Sequence, residues 1–214
     1  MCMENFYAKN LNEAAGLCYE LLKVELENDL RKFLVITGGG FGFEFAKILN
    51  SKIINMANKH LILSDERVTH LSTEKNLHII IKILNKLGPK KNNFYFKFDE
   101  LNSDYKTNMP ILQFMPDYSI LSLGDDGHLA GHFHNSIRIN KCFCYTDDAP
   151  KKPSNRISFR VPWIMAAKKI VIAAMGIHKK DALQEIMEFK GVHGEILKKN
   201  EDKVLIISDL FQET

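Results

Sequence analysis

The chain has 214 residues, 45% of them apolar and 26% charged, with a formal net charge of +3. These values suit one globular domain with a full core, and they exclude a disordered chain and a dedicated nucleic-acid binder. Four cysteines are too few for a disulfide framework in a chain of this size. The start MCMENFYAKNLNEAA lacks a secretory signal pattern, and the apolar runs are far shorter than the ~20 residues that cross a bilayer. The expectation is a cytoplasmic protein with a single domain over residues 1–214.

Residues 11–30 (LNEAAGLCYELLKVELENDL) carry apolar side chains at helical spacing and predict a first helix. FLVIT (33–37) predicts a short strand ending in Gly38-Gly39-Gly40, with a second helix over 43–50. KHLILSDE (59–66) predicts another apolar strand that ends in charge. TEKNLHIIIKILNKLG (73–88) predicts a helix with Thr73 as its N-cap and Gly88-Pro89 as its stop. NFYFKFD (93–99) alternates as a strand does, and DYSILSLG (117–124) is an apolar strand. RISF (156–159) is a short alternating run, and KKIVIAAMG (168–176) is apolar throughout. HKKDALQEIMEFK (178–190) predicts an amphipathic helix, and KVLIISD (203–209) a last strand. Continuously apolar strands alternating with helices mark a mostly parallel sheet covered on both faces, so the expected fold class is α/β. Residues 151–199 hold eleven Lys or Arg against four Asp or Glu. That excess reads first as a solvated surface and second as a place for a small anion.

In an open parallel sheet, ligands bind beyond the carboxyl ends of the strands. Four predicted strands end there in reactive or flexible residues: Gly38-Gly39-Gly40, Asp65-Glu66-Arg67, the run Gly124 to His128, and Gly176 with Lys179 and Lys180 beyond it. A glycine turn between strand and helix exposes N–H groups to a phosphate. The spacing is neither a P-loop nor the dinucleotide fingerprint, because no Gly-Lys-Ser/Thr follows and Phe43 stands where a third glycine is needed. A tight turn without a ligand and a turn for a simple phosphate both remain open. Asp65-Glu66-Arg67 fits a self-satisfied surface turn as well as a site. Arg156 and Lys179 each read singly as surface residues, and either supplies the charge that a phosphate needs. Asp126-Gly127-His128 is the most specific stretch. A histidine takes a proton from water near neutral pH, a nearby aspartate fixes its tautomer, and the glycine lets the backbone bend to aim both.

In this order, TGGG (37–40), SDERV (64–68) with Asn76 downstream, LGDDGHLAGHF (123–133), RIS (156–158) and GIHK (176–179) resemble the 6-phosphogluconolactonase family. That family is related to glucosamine-6-phosphate deaminases. The resemblance implies a NagB/RpiA-like, Rossmann-type α/β sheet flanked by helices, and hydrolysis of 6-phospho-D-glucono-1,5-lactone in the pentose phosphate pathway. It implies a small sugar-phosphate lactone as the partner, with no metal and no cofactor; the mild charge and short apolar runs already speak against a nucleic acid or a membrane. Carried over by position, it implies that Thr37, Gly38 and Gly39 hold the phosphate, with Arg156 and Lys179 as its cations. It sets Arg67 against the sugar or its phosphate beside Asp65 and Glu66. It makes His128 the general base, and Asp126 either its orienting partner or a ligand for a sugar hydroxyl. The chain departs from the family pattern at Phe41-Gly42, where Thr-Pro is usual, and at Ser122, where a glycine is frequent. It departs again at Gly131-His132-Phe133-His134, where the family has Ser-Leu-Phe-Pro.

Two other classes fit the same frame. An amino-sugar-phosphate deaminase usually carries Asp-Glu-Tyr and Asn-Glu-Pro, which this chain does not. A sugar-phosphate sensor carries a DNA-binding segment or a degraded catalytic motif. His132-Phe133-His134 and Cys142-Phe143-Cys144 each put two metal-ligand types on one strand face, but the spacing is not a usual zinc motif and reads as half-buried strand residues. The stripe HIIIKIL (78–84) and Trp163 read as core.

Overall fold

The computed structural model describes residues 3–52, 54–87, 94–95, 115–138 and 142–212. The chain begins with β1 (Glu4–Tyr7), α1 (Leu11–Glu27), β2 (Lys32–Ile36) and α2 (Gly39–Ser51). Then come β3 (Lys59–Leu63), β4 (Asp65–Arg67), α3 (Asn76–Ile83), β5 (Phe94–Tyr95) and β6 (Tyr118–Ser122). Next are β7 (Ile137–Arg138), β8 (Phe143–Thr146), β9 (Arg156–Phe159), α4 (Val161–Ile164) and β10 (Lys169–Ala174). The last elements are α5 (Lys180–Met187), α6 (Gly194–Lys198) and β11 (Val204–Ser208).

Seven strands form one all-parallel sheet in the order β1-β11-β10-β6-β2-β3-β5. Its central members are buried along nearly their whole length, which is why FLVI and VLII read as unbroken apolar runs. From β2 the chain builds outward through β3 and β5, then returns to place β6 on the other side of β2. The winding therefore reverses between β2 and β6, and that crevice is where such sheets bind ligands.

A second, antiparallel sheet has the order β4-β9-β8-β7. Only Ser64 separates β3 from β4, so the predicted strand 59–66 is two strands in two sheets. The β4–β9 register sets Arg67 opposite Arg156 and Asp65 opposite Ser158. Phe143, Ile157 and Phe159 from this sheet join the same core as the parallel strands.

Helix α1 packs against α2. It buries Ala14, Ala15, Cys18, Tyr19, Leu22 and Leu26, the period of a one-sided helix. Asn10 caps it by accepting from Glu13 N–H, and the Glu13 carboxylate accepts from Lys9 N–H in return. The fully buried Lys59 donates to Leu30 O at 2.8 Å and to Asn28 O, tying the exit of α1 to β3.

Helix α3 begins at Asn76 rather than near Thr73, which lies in a 3₁₀ turn. Of the strand expected over 93–99, Phe94–Tyr95 pair with β3; the rest of it, Gly88-Pro89 and Cys2 lie outside the described residues. Among the described residues no helix is long and apolar enough to cross a membrane.

Candidate active site

A cleft of about 470 Å³ opens at the carboxyl edge of the parallel sheet, over the β2/β6 crevice. Its lining brings together Thr37, Gly38, Gly39, Asp65, Arg67, Asp126, His128, Arg156 and Lys179. Of the residues expected from sequence, Glu66 alone is not part of that lining.

The glycine turn follows β2. Thr37 N–H donates to Ile120 O at 2.9 Å, which holds the turn beside β6. Gly38 caps α2 with no side chain of its own, and Gly39 adopts a φ of +72°, a left-handed conformation that favours glycine. The turn thus passes directly into the first turn of α2, whereas the sequence places the helix start at residue 43. The leading N–H groups of a 13-residue helix meet the cleft, where its dipole favours an anion. The departure at Phe41-Gly42 has a packing reason. Phe41 is buried, and a Cβ at Gly42 would overlap Thr37 O.

Asp65 is 9% exposed and accepts from Ser64 Oγ at 2.9 Å. Burial pushes its pKa up, while the Ser64 hydroxyl, Arg156, His128 and Arg67 act against that rise. The Glu66 carboxylate serves the backbone instead. It accepts from the N–H groups of Arg67 and Asn76 at 2.7 Å and of Leu77 at 2.8 Å, capping α3 from across the chain. Arg67 reaches the cleft while Nη1 donates to Glu74 O at 2.8 Å.

Asn76 also lines the cleft. It is 3% exposed, Nδ2 donates to Asp65 O at 3.4 Å, and Oδ1 has no hydrogen-bond partner. Its amide lies against Gly38, where any Cβ would overlap it.

Beyond β6 the residues 124–128 form a closed turn. Gly124 N–H donates to His128 O at 2.8 Å, Gly127 N–H donates to Gly124 O at 3.2 Å, and Leu123 bridges to Leu129. Gly127 takes a φ of +81°. His128 Nδ1 and Asp126 Oδ1 are hydrogen-bonded, and the ring packs on Phe133 with centroids 4.1 Å apart. Partial burial raises the Asp126 pKa, and the hydrogen bond and charge of His128 outweigh that effect, leaving it below the ordinary carboxylate value. With Nδ1 engaged, Nε2 is the ring nitrogen that a ligand in the cleft can meet.

Both predicted cations are anchored. Arg156 donates to Lys151 O at 2.8 Å, to Asn155 O at 3.4 Å and to Pro153 O. Lys179 Nζ donates to Ser122 Oγ at 3.3 Å and to Leu123 O. Burial lowers the pKa of both groups. Sequence reasoning assigned no site role to Asn76, Asp125 or Lys151, which also line the cleft. Asn76 belongs to the motif downstream of Asp65-Glu66-Arg67, Asp125 stands inside another, and Lys151 carries no local signal.

The paired His and Cys residues do not converge. His132 Nδ1 accepts from Val161 N–H at 3.4 Å, and His193 Nε2 lies 3.2 Å from His132 O. Cys142 and Cys144 are buried, and burial pushes the Cys144 thiol up to about 12. Among the described residues, no group of three or more His, Cys, Asp or Glu is placed to hold a metal ion.

Residues 8–203 match the sequence family described as glucosamine-6-phosphate isomerases/6-phosphogluconolactonase. A 6-phosphogluconolactonase of Borreliella burgdorferi is 25% identical over 200 residues, covering 86% of this chain and 85% of that protein. A glucosamine-6-phosphate deaminase of Streptococcus suis is 25% identical over 230 residues, covering 97% of each. The crystal structure of a 6-phosphogluconolactonase from Leishmania guyanensis superposes with a TM-score of 0.79 at 16% identity, covering 97% of this chain and 96% of that one, and so shares the fold.

Proposed function

The chain belongs to the glucosamine-6-phosphate isomerase/6-phosphogluconolactonase family, and on that premise we propose that it hydrolyses 6-phospho-D-glucono-1,5-lactone to 6-phospho-D-gluconate. One observation carries the reading: the carboxylate-paired imidazole of His128 shares a cleft with a helix N-terminus and two anchored cations. The phosphate sits at Thr37, Gly38 and Gly39, with Arg156 and Lys179 supplying positive charge. Arg67 and Asp65 face the sugar. His128 Nε2 takes a proton from water as the water oxygen bonds to the lactone carbonyl carbon. The tetrahedral intermediate collapses, the ring C–O bond breaks, and the imidazolium returns the proton to the departing oxygen. Asp126 fixes the tautomer and stabilises the imidazolium, the part an aspartate plays in a base–orienter pair. Water and a base suffice for this chemistry, so the reaction calls for no cofactor. The substrate is a phosphorylated anion that does not cross membranes, which supports a cytoplasmic enzyme of the pentose phosphate pathway, and the core shared by both sheets supports a single domain.

The Streptococcus suis relative favours a second reading, a deaminase acting on glucosamine 6-phosphate. Against it, Arg67 completes the Asp-Glu-Arg run, and Gly131-His132-Phe133-His134 offers no carboxylate after the histidine. Phe133 packs on the His128 ring instead.

The test is a lactonase assay on freshly made lactone, corrected for spontaneous opening, comparing wild type with His128→Ala. The expected loss is roughly 10²–10⁴-fold with the fold retained. Equal rates remove His128 from the mechanism, and ammonia release from glucosamine 6-phosphate moves the assignment to the deaminase.

A further inference from the structure

The mouth of the cleft holds a charge cluster that the reaction above does not use. The Asp125 carboxylate pairs with Lys151 Nζ at 3.8 Å, and its other oxygen lies 3.5 Å from His178 Nε2. Asp125 and Lys151 both line the cleft. The backbone that carries Lys151 and the ring of His178 are both held in place. The Lys151 carbonyl is held by Arg156 Nη2 at 2.8 Å. The His178 ring lies against Gly176, where an added Cβ would stand 2.8 Å from Nδ1. Lys179 feels both charges. Burial is the main cause of its lowered pKa, Asp125 acts against that lowering, and Lys151 adds to it. One carboxylate therefore shares the cleft with three basic residues, Lys151, Arg156 and Lys179.

We propose that Asp125 competes with the substrate phosphate for Lys151, which makes Lys151 a phosphate ligand and Asp125 the residue that sets the affinity. The proposal rests on the phosphate-site reading given above. A carboxylate–ammonium pair with the lysine 80% and the aspartate 46% exposed is weak. A phosphate dianion with charge-assisted hydrogen bonds displaces it, and a neutral sugar lactone does not. Asp125 thereby requires a ligand to bring more charge than it does. It also loosens the phosphorylated product, so that binding strength does not become slow release.

Calorimetric titration with 6-phosphogluconate, gluconate and inorganic phosphate tests this on wild type, Asp125→Asn, Lys151→Met and the double variant. Wild type should bind 6-phosphogluconate well and gluconate poorly. Asp125→Asn should tighten 6-phosphogluconate by about two- to five-fold, and Lys151→Met should weaken it by a similar factor. In the Lys151→Met background, the gain from Asp125→Asn should shrink, because the two side chains share one interaction. If wild type binds gluconate as tightly as 6-phosphogluconate, the phosphate site itself fails. If binding depends on the phosphate but Asp125→Asn leaves it unchanged or weaker, or Lys151→Met has no effect, the competition alone is overturned.

Discussion

Gly124→Ala adds one methyl group to a residue that takes no part in the proton transfer, and its effect follows from where that methyl goes. The new Cβ would overlap His128 Nδ1 and Cε1 and stand 2.7 Å from Cγ, against 3.4 Å or more for ordinary contact. The imidazole has to retreat by about an ångström. That takes Nδ1 off Asp126 and swings Nε2 away from the lactone carbonyl. A misplacement of this size costs roughly 10²-fold in rate, or about 2.7 kcal/mol of barrier. Gly124 does not adopt a left-handed φ, so alanine fits the backbone there and the fold should survive. The assay is kcat/KM on freshly made lactone, paired with a urea unfolding curve on the same preparation. The reasoning is refuted if the variant keeps more than roughly a third of wild-type kcat/KM with an unchanged unfolding midpoint.

Acid stability should depend on His193, which burial depresses from an ordinary 6.5 to about 4. The unfolded chain binds this proton below pH 6.5 and the folded one does not, so stability falls as pH drops from 6.5 towards 4, by about 3 kcal/mol, and His193→Gln should remove that loss in urea titrations at pH 7 and pH 4.5. Glu66→Gln replaces an acceptor oxygen of a buried helix cap with a second donor, so unfolding should ease by about 2 kcal/mol. The same variant at saturating substrate should keep its turnover per folded molecule, since Glu66 stands outside the cleft.

The parallel sheet was legible because its central strands are buried on both faces, so FLVI, IVIAA and VLII spell themselves as unbroken apolar runs. The cleft was legible for a related reason. Parallel strands deliver their carboxyl ends to one edge, so Thr37, Asp126, His128 and Lys179 are brought together by topology. The antiparallel sheet was not legible, since its strands are two to four residues long and β4 continues β3 after one residue. Strand β1 reads ENFY with no buried residue and offers no apolar signal. The role of Glu66 lies in its contact with N–H groups ten and eleven residues further on, a tertiary contact with no local pattern. Asn76 and Lys151 likewise gain meaning only from what faces them.

The anchoring of Arg156 and Lys179 has a thermodynamic consequence. Long side chains surrender up to about 2 kcal/mol of rotamer entropy when they are ordered. Here carbonyls of residues 151, 153 and 155 and the end of β6 already hold these two ammonium and guanidinium heads. Most of that ordering is settled during folding, so an arriving anion meets charges that are stationary and fixed in their spacing, and recognises shape as well as sign.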